Sequence, residues 1–162
     1  SSYPPELMSL HRIFSFITAA TVAVVAANAR THYDYTAIPM PGMPFTFTVD
    51  SIAMRNDVTR IYGHLYGTPH TSARIDGFFI QPSAKHVRPG TKIVENEATD
   101  IDGFEFTHRF QWEDDGDIPV EIDFDPVPEA DVYYMRITHP NGWYGLTLRK
   151  GNGEKPTRKV GR

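Results

Sequence analysis

After residue 45, apolar and polar residues alternate along much of the chain with a period of two. The segment 103–112 (GFEFTHRFQW) is the clearest example, and Ile118–Phe124 repeats the pattern. The residues that this alternation puts on one face of the first segment are Phe104, Phe106, His108, Phe110 and Trp112. A strand with one buried and one solvent-facing side produces such a pattern, whereas a helix repeats every 3.6 residues. The alternation therefore predicts β-strands, with His108 on a buried face.

Turn-forming residues divide this region into short segments. Asp-Gly within 113–117 and Asn-Gly at 141–142 are typical of hairpins. We predict eight strands, at Thr46–Met54, Val58–Tyr66, Ala73–Gln81, Thr91–Glu95, Gly103–Trp112, Ile118–Phe124, Val132–Thr138 and Trp143–Lys150. Seven or eight short strands separated by such turns favour an antiparallel β-sandwich, with a closed barrel as the alternative. The predicted fold class is therefore all-β and antiparallel.

The segment before these strands is rich in proline. Residues 35–44 (YTAIPMPGMP) hold three prolines and one glycine. Because proline lacks the backbone N–H that a central strand needs, we predict a linker or extended arm over residues 30–45. The β domain then occupies residues 46–150, and residues 151–162 form a polar tail.

Residues 8–29 have the three parts of a secretory signal peptide. Arg12 supplies a positive charge, residues 13–27 form a run of 15 without charge, and residues 27–29 (ANA) are a small-residue cleavage motif. The sequence thus predicts an N-terminal hydrophobic signal helix, cleavage before Arg30, and a periplasmic or extracellular protein with no stable membrane span after cleavage. Residues 1–7 are expected to be an upstream or vector-derived extension.

Composition excludes several classes of protein. The chain has no Cys, so disulfides, Cys-ligated zinc and thiol nucleophiles are excluded. Its net charge of −4 argues against a general nucleic-acid binder. That net charge combines an acidic region, 95–131, with basic regions at 55–92 and 149–162. The segregation is typical either of a surface for a charged partner or of basic segments that face the acidic hairpin.

The sequence contains no recognisable catalytic motif. It lacks both a G-x-S-x-G motif and a glycine-rich phosphate loop, so we expect neither catalytic residues nor a cofactor. The acidic turns 100–105 and 114–117 carry several carboxylates, but Gly103 does not occupy the glycine position of an EF-hand loop. We predict no metal site. The alternative is a calcium- or zinc-dependent hydrolase or metal-binding protein that uses the acidic hairpin and the histidines.

Aromatic and cationic residues on one predicted strand give a candidate binding site. In the segment 58–66, alternation puts four such residues on the face opposite Ile61 and Leu65. These four are Arg60, Tyr62, His64 and Tyr66. A stripe of this kind can stack on a sugar or hold a protein partner. The alternative is a half-buried face whose polar tips reach water.

Five segments carry a family resemblance across residues 46–149. They are Thr48–Ile52, Val58–Tyr62, Asp102–Phe106, Val120–Pro128 and Trp143–Leu148. In their order and strand pattern, these segments resemble small secreted immunoglobulin-like β-sandwich domains of unknown function from Gram-negative anaerobic bacteria. The resemblance implies an immunoglobulin-like sandwich that is exported across the inner membrane, and it implies no catalytic residues. We therefore expect an exported, non-catalytic module that binds a protein or glycan partner.

Overall fold

The structure is a computed structural model, and it describes residues 32–154. The regular secondary structure of this part of the chain consists almost entirely of β-strands. They are β1 His32–Pro39, β2 Thr46–Met54, β3 Thr59–Tyr66, β4 Ser72–Arg74, β5 Gly77–Pro82, β6 Asn96–Glu97, β7 Asp100–Asp102, β8 Arg109–Gln111, β9 Asp117–Phe124, β10 Val132–His139 and β11 Gly142–Glu154. A single 3-10 turn, Ala84–His86, follows β5. Over the same residues, no helix has the length and apolar character to cross a membrane.

Nine of the strands form one sheet, in the order β6-β5-β10-β11-β1-β2-β3-β9-β7. The remaining two, β4 and β8, pair with each other. Every strand pair is antiparallel. The prediction of an all-β, antiparallel fold is confirmed.

The large sheet curls on itself and encloses the hydrophobic core. Strands β2 and β5 are four places apart in the sheet, which corresponds to about 19 Å in a flat sheet. The rings of Phe47 on β2 and Phe78 on β5 are nevertheless only 5.8 Å apart, centroid to centroid. The sheet therefore has an inner side that packs against itself and an outer side that faces solvent.

Strand β1 lies in the middle of this sheet, where one half meets the other. His32 and Tyr33 pair with β2, and after a shift in register the residues from Tyr35 to Pro39 pair with β11. Tyr35 is 1% exposed, and its hydroxyl donates to the carbonyl of Ala130 at 2.6 Å. The expectation of a linker or arm over 30–45 is corrected for residues 32–39. The prolines do not interrupt the strand because Pro39 is its last residue and the others follow it.

Five predicted strands are present with nearly the expected bounds. Strand β2 matches its prediction at both ends, and β3, β9, β10 and β11 differ by one to a few residues. Strand β11 continues to Glu154, so residues 151–154 belong to the sheet rather than to the predicted polar tail. The predicted signal helix (8–29), residues 1–7 and the end of the tail (155–162) lie outside the described residues.

Three predicted strands are wrong. Segment 73–81 is divided between β4 and β5, which belong to different sheets, and segment 91–95 is not a strand. Segment 103–112 is mostly loop, because Gly103 (φ 123°) and Thr107 (φ 64°) adopt left-handed conformations that end an extended chain. Its aromatic residues still pack against the core, but His108 is exposed. The alternation predicted which aromatic residues pack against the core, and it was wrong about the strand and about His108.

Candidate binding faces

The four predicted binding residues lie side by side on the outer side of β3. Ile61 and Leu65, on the opposite side of the strand, are 0% exposed and belong to the core. The outer residues Arg60, Tyr62 and His64 are half-buried, and Tyr66 is exposed. The structure therefore brings the predicted stripe together.

Arg60 is held by a carboxylate on the neighbouring strand. Asp123 is its direct cross-strand partner on β9. The Nε of Arg60 donates to one oxygen of Asp123 at 2.6 Å, and Nη2 donates to the other at 3.0 Å. These hydrogen bonds raise the pKa of Arg60 above its ordinary value. The forked donor face of this guanidinium is thus already occupied within the domain.

His64 is held by carboxylates on both sides. Its Nδ1 lies 2.8 Å from an oxygen of Asp117, and its Nε2 lies 3.1 Å from an oxygen of Asp50. Only the doubly protonated ring can donate at both nitrogens. Partial burial lowers the pKa of His64, but the hydrogen bonds and negative charges of these two carboxylates outweigh it, so the pKa is raised. The ring also stacks on Tyr66, with the planes 5° apart.

Around this stripe the outer surface is acidic. Six carboxylates lie there, on or next to the strands that flank β3, and we call them the acidic face: Asp50, Asp100, Asp102, Asp117, Glu121 and Asp123. A shallow groove of about 210 Å³ runs between Tyr62, His64, Asp102 and Glu121. Within residues 32–154, no three His, Asp or Glu side chains are arranged so that they could hold a metal ion.

A second outer surface, formed by β1, β11, β10, β5 and the residue that follows β1, has a different character. We call it the aromatic face, and it consists of Ile38, Met40, Phe79, Tyr134, Arg136 and Trp143. Four of these side chains are about half exposed: Ile38 47%, Met40 53%, Tyr134 51% and Trp143 52%. Exposure of several large apolar side chains on one surface is typical of an interaction site.

Arg136 lies between the rings of this face. Its guanidinium carbon is 4.6 Å from the ring centroid of Phe79 and 5.8 Å from that of Trp143. Its Nε and Nη2 donate to the two carboxylate oxygens of Glu95 at 2.7 and 2.9 Å. These hydrogen bonds lower the pKa of Glu95. The central charge of the aromatic face is thus neutralised locally and held in one geometry.

Gly145 on β11 shapes the middle of the aromatic face. It is the cross-strand partner of Arg136, and its carbonyl accepts a hydrogen bond from the backbone N–H of Met40 at 2.9 Å. A Cβ at this position would lie 2.3 Å from the sulfur of Met40. The absence of a side chain therefore lets Met40 lie across β11, next to a groove of about 360 Å³ that Tyr134, Arg136 and Trp143 also line.

The aromatic face is not evident from the sequence. The alternation of residues along a strand puts Trp143 and Tyr144 on opposite sides of β11. This is confirmed, because Trp143 is exposed and the ring of Tyr144 packs on that of Phe45, with centroids 5.7 Å apart. Tyr134 and Arg136 also alternate with buried residues along β10. The missing information was the pairing of β10 with β5 and of β11 with β1, which brings distant segments together.

No family model, no curated protein and no solved structure matches this chain.

Proposed function

We propose that this protein is an exported, non-catalytic β domain of the periplasm or cell exterior that binds a protein partner through its aromatic face. The observation that carries the proposal is the pair of half-exposed rings, Tyr134 and Trp143, on one surface beside Arg136. Tyr, Trp, Phe, Met and Arg are enriched at protein interfaces, and Trp, Tyr and Arg dominate their binding energy. The aromatic face contains each of these five residue types.

The composition of this face favours a protein over a glycan. Exposed rings alone can stack on a sugar, but Ile38 and Met40 add aliphatic surface that offers no hydrogen bonds to hydroxyl groups. The guanidinium of Arg136 is already paired with Glu95. A largely apolar protein surface complements such a face better than a polyhydroxylated ligand does, because few additional polar groups have to lose water.

The β3 stripe is less suited to be the main contact. The guanidinium of Arg60 and both ring nitrogens of His64 already have carboxylate partners inside the domain. A ligand would have to displace these partners before it could use the same groups. We assign this stripe a structural role, in which it neutralises part of the acidic face.

Two further expectations support the location and the architecture in this proposal. The signal-peptide pattern of residues 8–29 is typical of export. The two halves of the curled sheet face each other across one core, as the two layers of an immunoglobulin-like sandwich do. Mass spectrometry of exported protein tests the first expectation, with Arg30 as the predicted N-terminal residue.

The partner site is tested by affinity capture from a cell-envelope extract, with aromatic-to-serine variants on the aromatic face and, as the control, one on the β3 stripe. Wild type and Tyr66→Ser, which changes an exposed tyrosine of the β3 stripe, should retain the same protein. Trp143→Ser and Tyr134→Ser should lose it, because truncation of a central interface aromatic costs about 2 kcal/mol or more. A protein lost equally from all variants, or retained by Trp143→Ser, would contradict the proposal. A glycan array on the same variants tests the second ligand class, and glycan binding that depends on Trp143 would replace the protein partner.

A further inference from the structure

A cleft of about 760 Å³ lies between the loop that follows β5 and the loop that precedes β10. The first loop contributes Lys85, His86 and Arg88 to its lining, and the second contributes Glu129 and Asp131. This volume lies within the range of 300–1,000 Å³ that is usual for small-molecule sites. The cleft shares no lining residue with the aromatic face, and nothing in the proposed protein contact uses it.

The loop that carries the three basic residues is held by hydrogen bonds. Ser83 is 3% exposed, and its hydroxyl lies 2.9 Å from Nδ1 of His86. The carbonyl of His86 accepts a hydrogen bond from the backbone N–H of Asp131 at 3.0 Å, which ties the two loops together. Because Ser83 occupies Nδ1, Nε2 is the ring nitrogen that remains for a ligand.

Arg88 begins a tight turn at the edge of the cleft. The backbone N–H and the hydroxyl of Thr91 donate to the carbonyl of Arg88 at 3.1 and 2.7 Å. Pro89 and Gly90 occupy the two central positions, and the φ of 86° at Gly90 is the conformation that a type II turn needs there. The backbone under the guanidinium is therefore constrained, which reduces the conformational entropy lost when a ligand binds.

The charges of the cleft are only partly compensated. Glu129 is paired with Lys150, whose Nζ lies 2.6 Å from its carboxylate. In the described part of the chain, Lys85, Arg88 and Asp131 form no ion pair. The cleft thus has two unpaired cations and one unpaired carboxylate. This local excess of positive charge is opposite to the overall balance of residues 32–154, which contain nineteen acidic and ten basic residues.

We propose that this cleft binds a small ligand that carries an oxyanion next to a hydroxyl group. Arg88 and Lys85 hold the oxyanion, because a guanidinium binds carboxylate, sulfate or phosphate through two parallel hydrogen bonds. His86 donates to it from Nε2 when the ring nitrogen there is protonated. Asp131, on the opposite wall, accepts the hydrogen bond of the neighbouring hydroxyl. An acidic sugar and a phosphorylated sugar both have this chemistry.

The test is a titration of ¹⁵N-labelled protein with galacturonate, glucose 6-phosphate and, as the uncharged control, glucose. We expect saturable amide shifts that are confined to residues 85–91 and 129–131 with one or both anions and not with glucose. The anion that binds more tightly identifies the oxyanion as carboxylate or phosphate. Absence of shifts with both anions, or equal affinity for glucose, would overturn the proposal.

Two matched variants distinguish a specific binding site from general electrostatic attraction. Arg88→Gln should raise the Kd of the bound anion about tenfold, as expected for the loss of charge-assisted hydrogen bonds. Lys92→Gln removes the same charge from an exposed residue of the same segment that does not line the cleft, and it should change the Kd less than about twofold. Equal weakening by the two variants would show attraction by net charge and overturn the site. Thermal unfolding of both variants verifies that each remains folded.

Discussion

His64 connects three strands through one titratable ring. Its Nδ1 contacts Asp117 on β9, and its Nε2 contacts Asp50 on β2. The stacked Tyr66 covers one side of the ring. Partial burial raises the pKa of Tyr66, and the negative charges of Asp117 and Asp50 raise it further. The protonation state of His64 therefore decides how many of these contacts are hydrogen bonds.

This arrangement predicts a pH-dependent contribution to stability. Since the pKa of His64 is raised in the folded state, its contribution is fully present below the unfolded value of about 6.5. The contribution is lost as the pH rises through the higher, folded pKa. We expect the free energy of unfolding, from urea titrations between about pH 5.5 and 9, to fall over this window in wild type. In His64→Gln this part of the fall should be absent.

The exposed His108 provides the matched control. His108→Gln should keep the pH dependence of wild type, because the contact that His108 makes is with the backbone of Phe106. If His64→Gln and wild type lose stability in parallel over the same window, the two carboxylate contacts do not stabilise the charged ring.

At the scale of the strand, a bulge in β2 explains why Asp50 reaches His64. The register between β2 and β3 shifts between Val49 and Ser51, so Asp50 is an extra residue in its strand. A bulge redirects the side chain at which it occurs. Gly63 on β3 is the partner of Val49, and a Cβ there would lie 2.2 Å from the carbonyl oxygen of Thr48. The bulge and Gly63 therefore depend on each other.

Gly63→Ala should consequently disturb both the packing and the site. Because the obstructing atom belongs to the backbone, β2 must move, and we expect a loss of about 1–3 kcal/mol in the free energy of unfolding. The pKa of His64, followed by NMR, should also fall towards its ordinary value as Asp50 shifts. Thr46→Ala, at an exposed position of the same strand pair, should change neither quantity. A Gly63→Ala protein with wild-type stability would contradict the close approach of Gly63 to the carbonyl of Thr48.

Some of the strands could be predicted from the sequence, and others could not. Strands β2, β9 and β10 were predictable from alternation and turn residues, because each has one side towards the core and one towards solvent. Segment 103–112 has the same alternation, but only Arg109–Gln111 form a strand there. Clustered rings such as Phe104 in the loop and Phe110 in the strand, 4.5 Å apart, both pack against the core. Strand β1 was missed because a proline at a strand end and a proline within a strand look alike in sequence.

The same holds for the candidate sites: features within one strand could be predicted, and features that depend on strand pairing could not. The stripe of Arg60, Tyr62, His64 and Tyr66 lies within one strand, so its shared face was predictable from local alternation. Its carboxylate partners come from β2 and β9 and depend on register. The aromatic face combines four strands, and local sequence carries no information about that pairing.

At the largest scale, the outer surface formed by residues 32–154 has an acidic face and an aromatic face of opposite character. On the acidic face, Asp100 is directly opposite Asp123, and Asp102 is directly opposite Glu121. Like charges in directly opposed positions destabilise a sheet. On the aromatic face, Arg136 is neutralised by Glu95. The two faces should therefore respond differently to ionic strength.

Asp102→Asn should stabilise the domain at low ionic strength. It removes one charge from the pair with Glu121, and we expect a gain of about 0.2–1 kcal/mol in the free energy of unfolding. The gain should shrink as NaCl is raised from about 0.01 to 0.5 M, because salt screens the repulsion between solvent-exposed charges. Glu105→Gln removes a charge from an exposed residue outside the acidic face and should give a smaller gain. A gain for Asp102→Asn that is independent of salt would rule out charge repulsion as its cause.

The central position of β1 has a consequence for the kinetics of folding. Tyr35 pairs with Lys150, a residue whose number is higher by 115. The part of the sheet that contains β10, β5 and β6 is joined to β1 only through β11, the last strand described. Pairings between residues so far apart in sequence form late and slowly, because the loop between them must close first. During synthesis, residues 32–154 therefore cannot complete this structure before β11 is available.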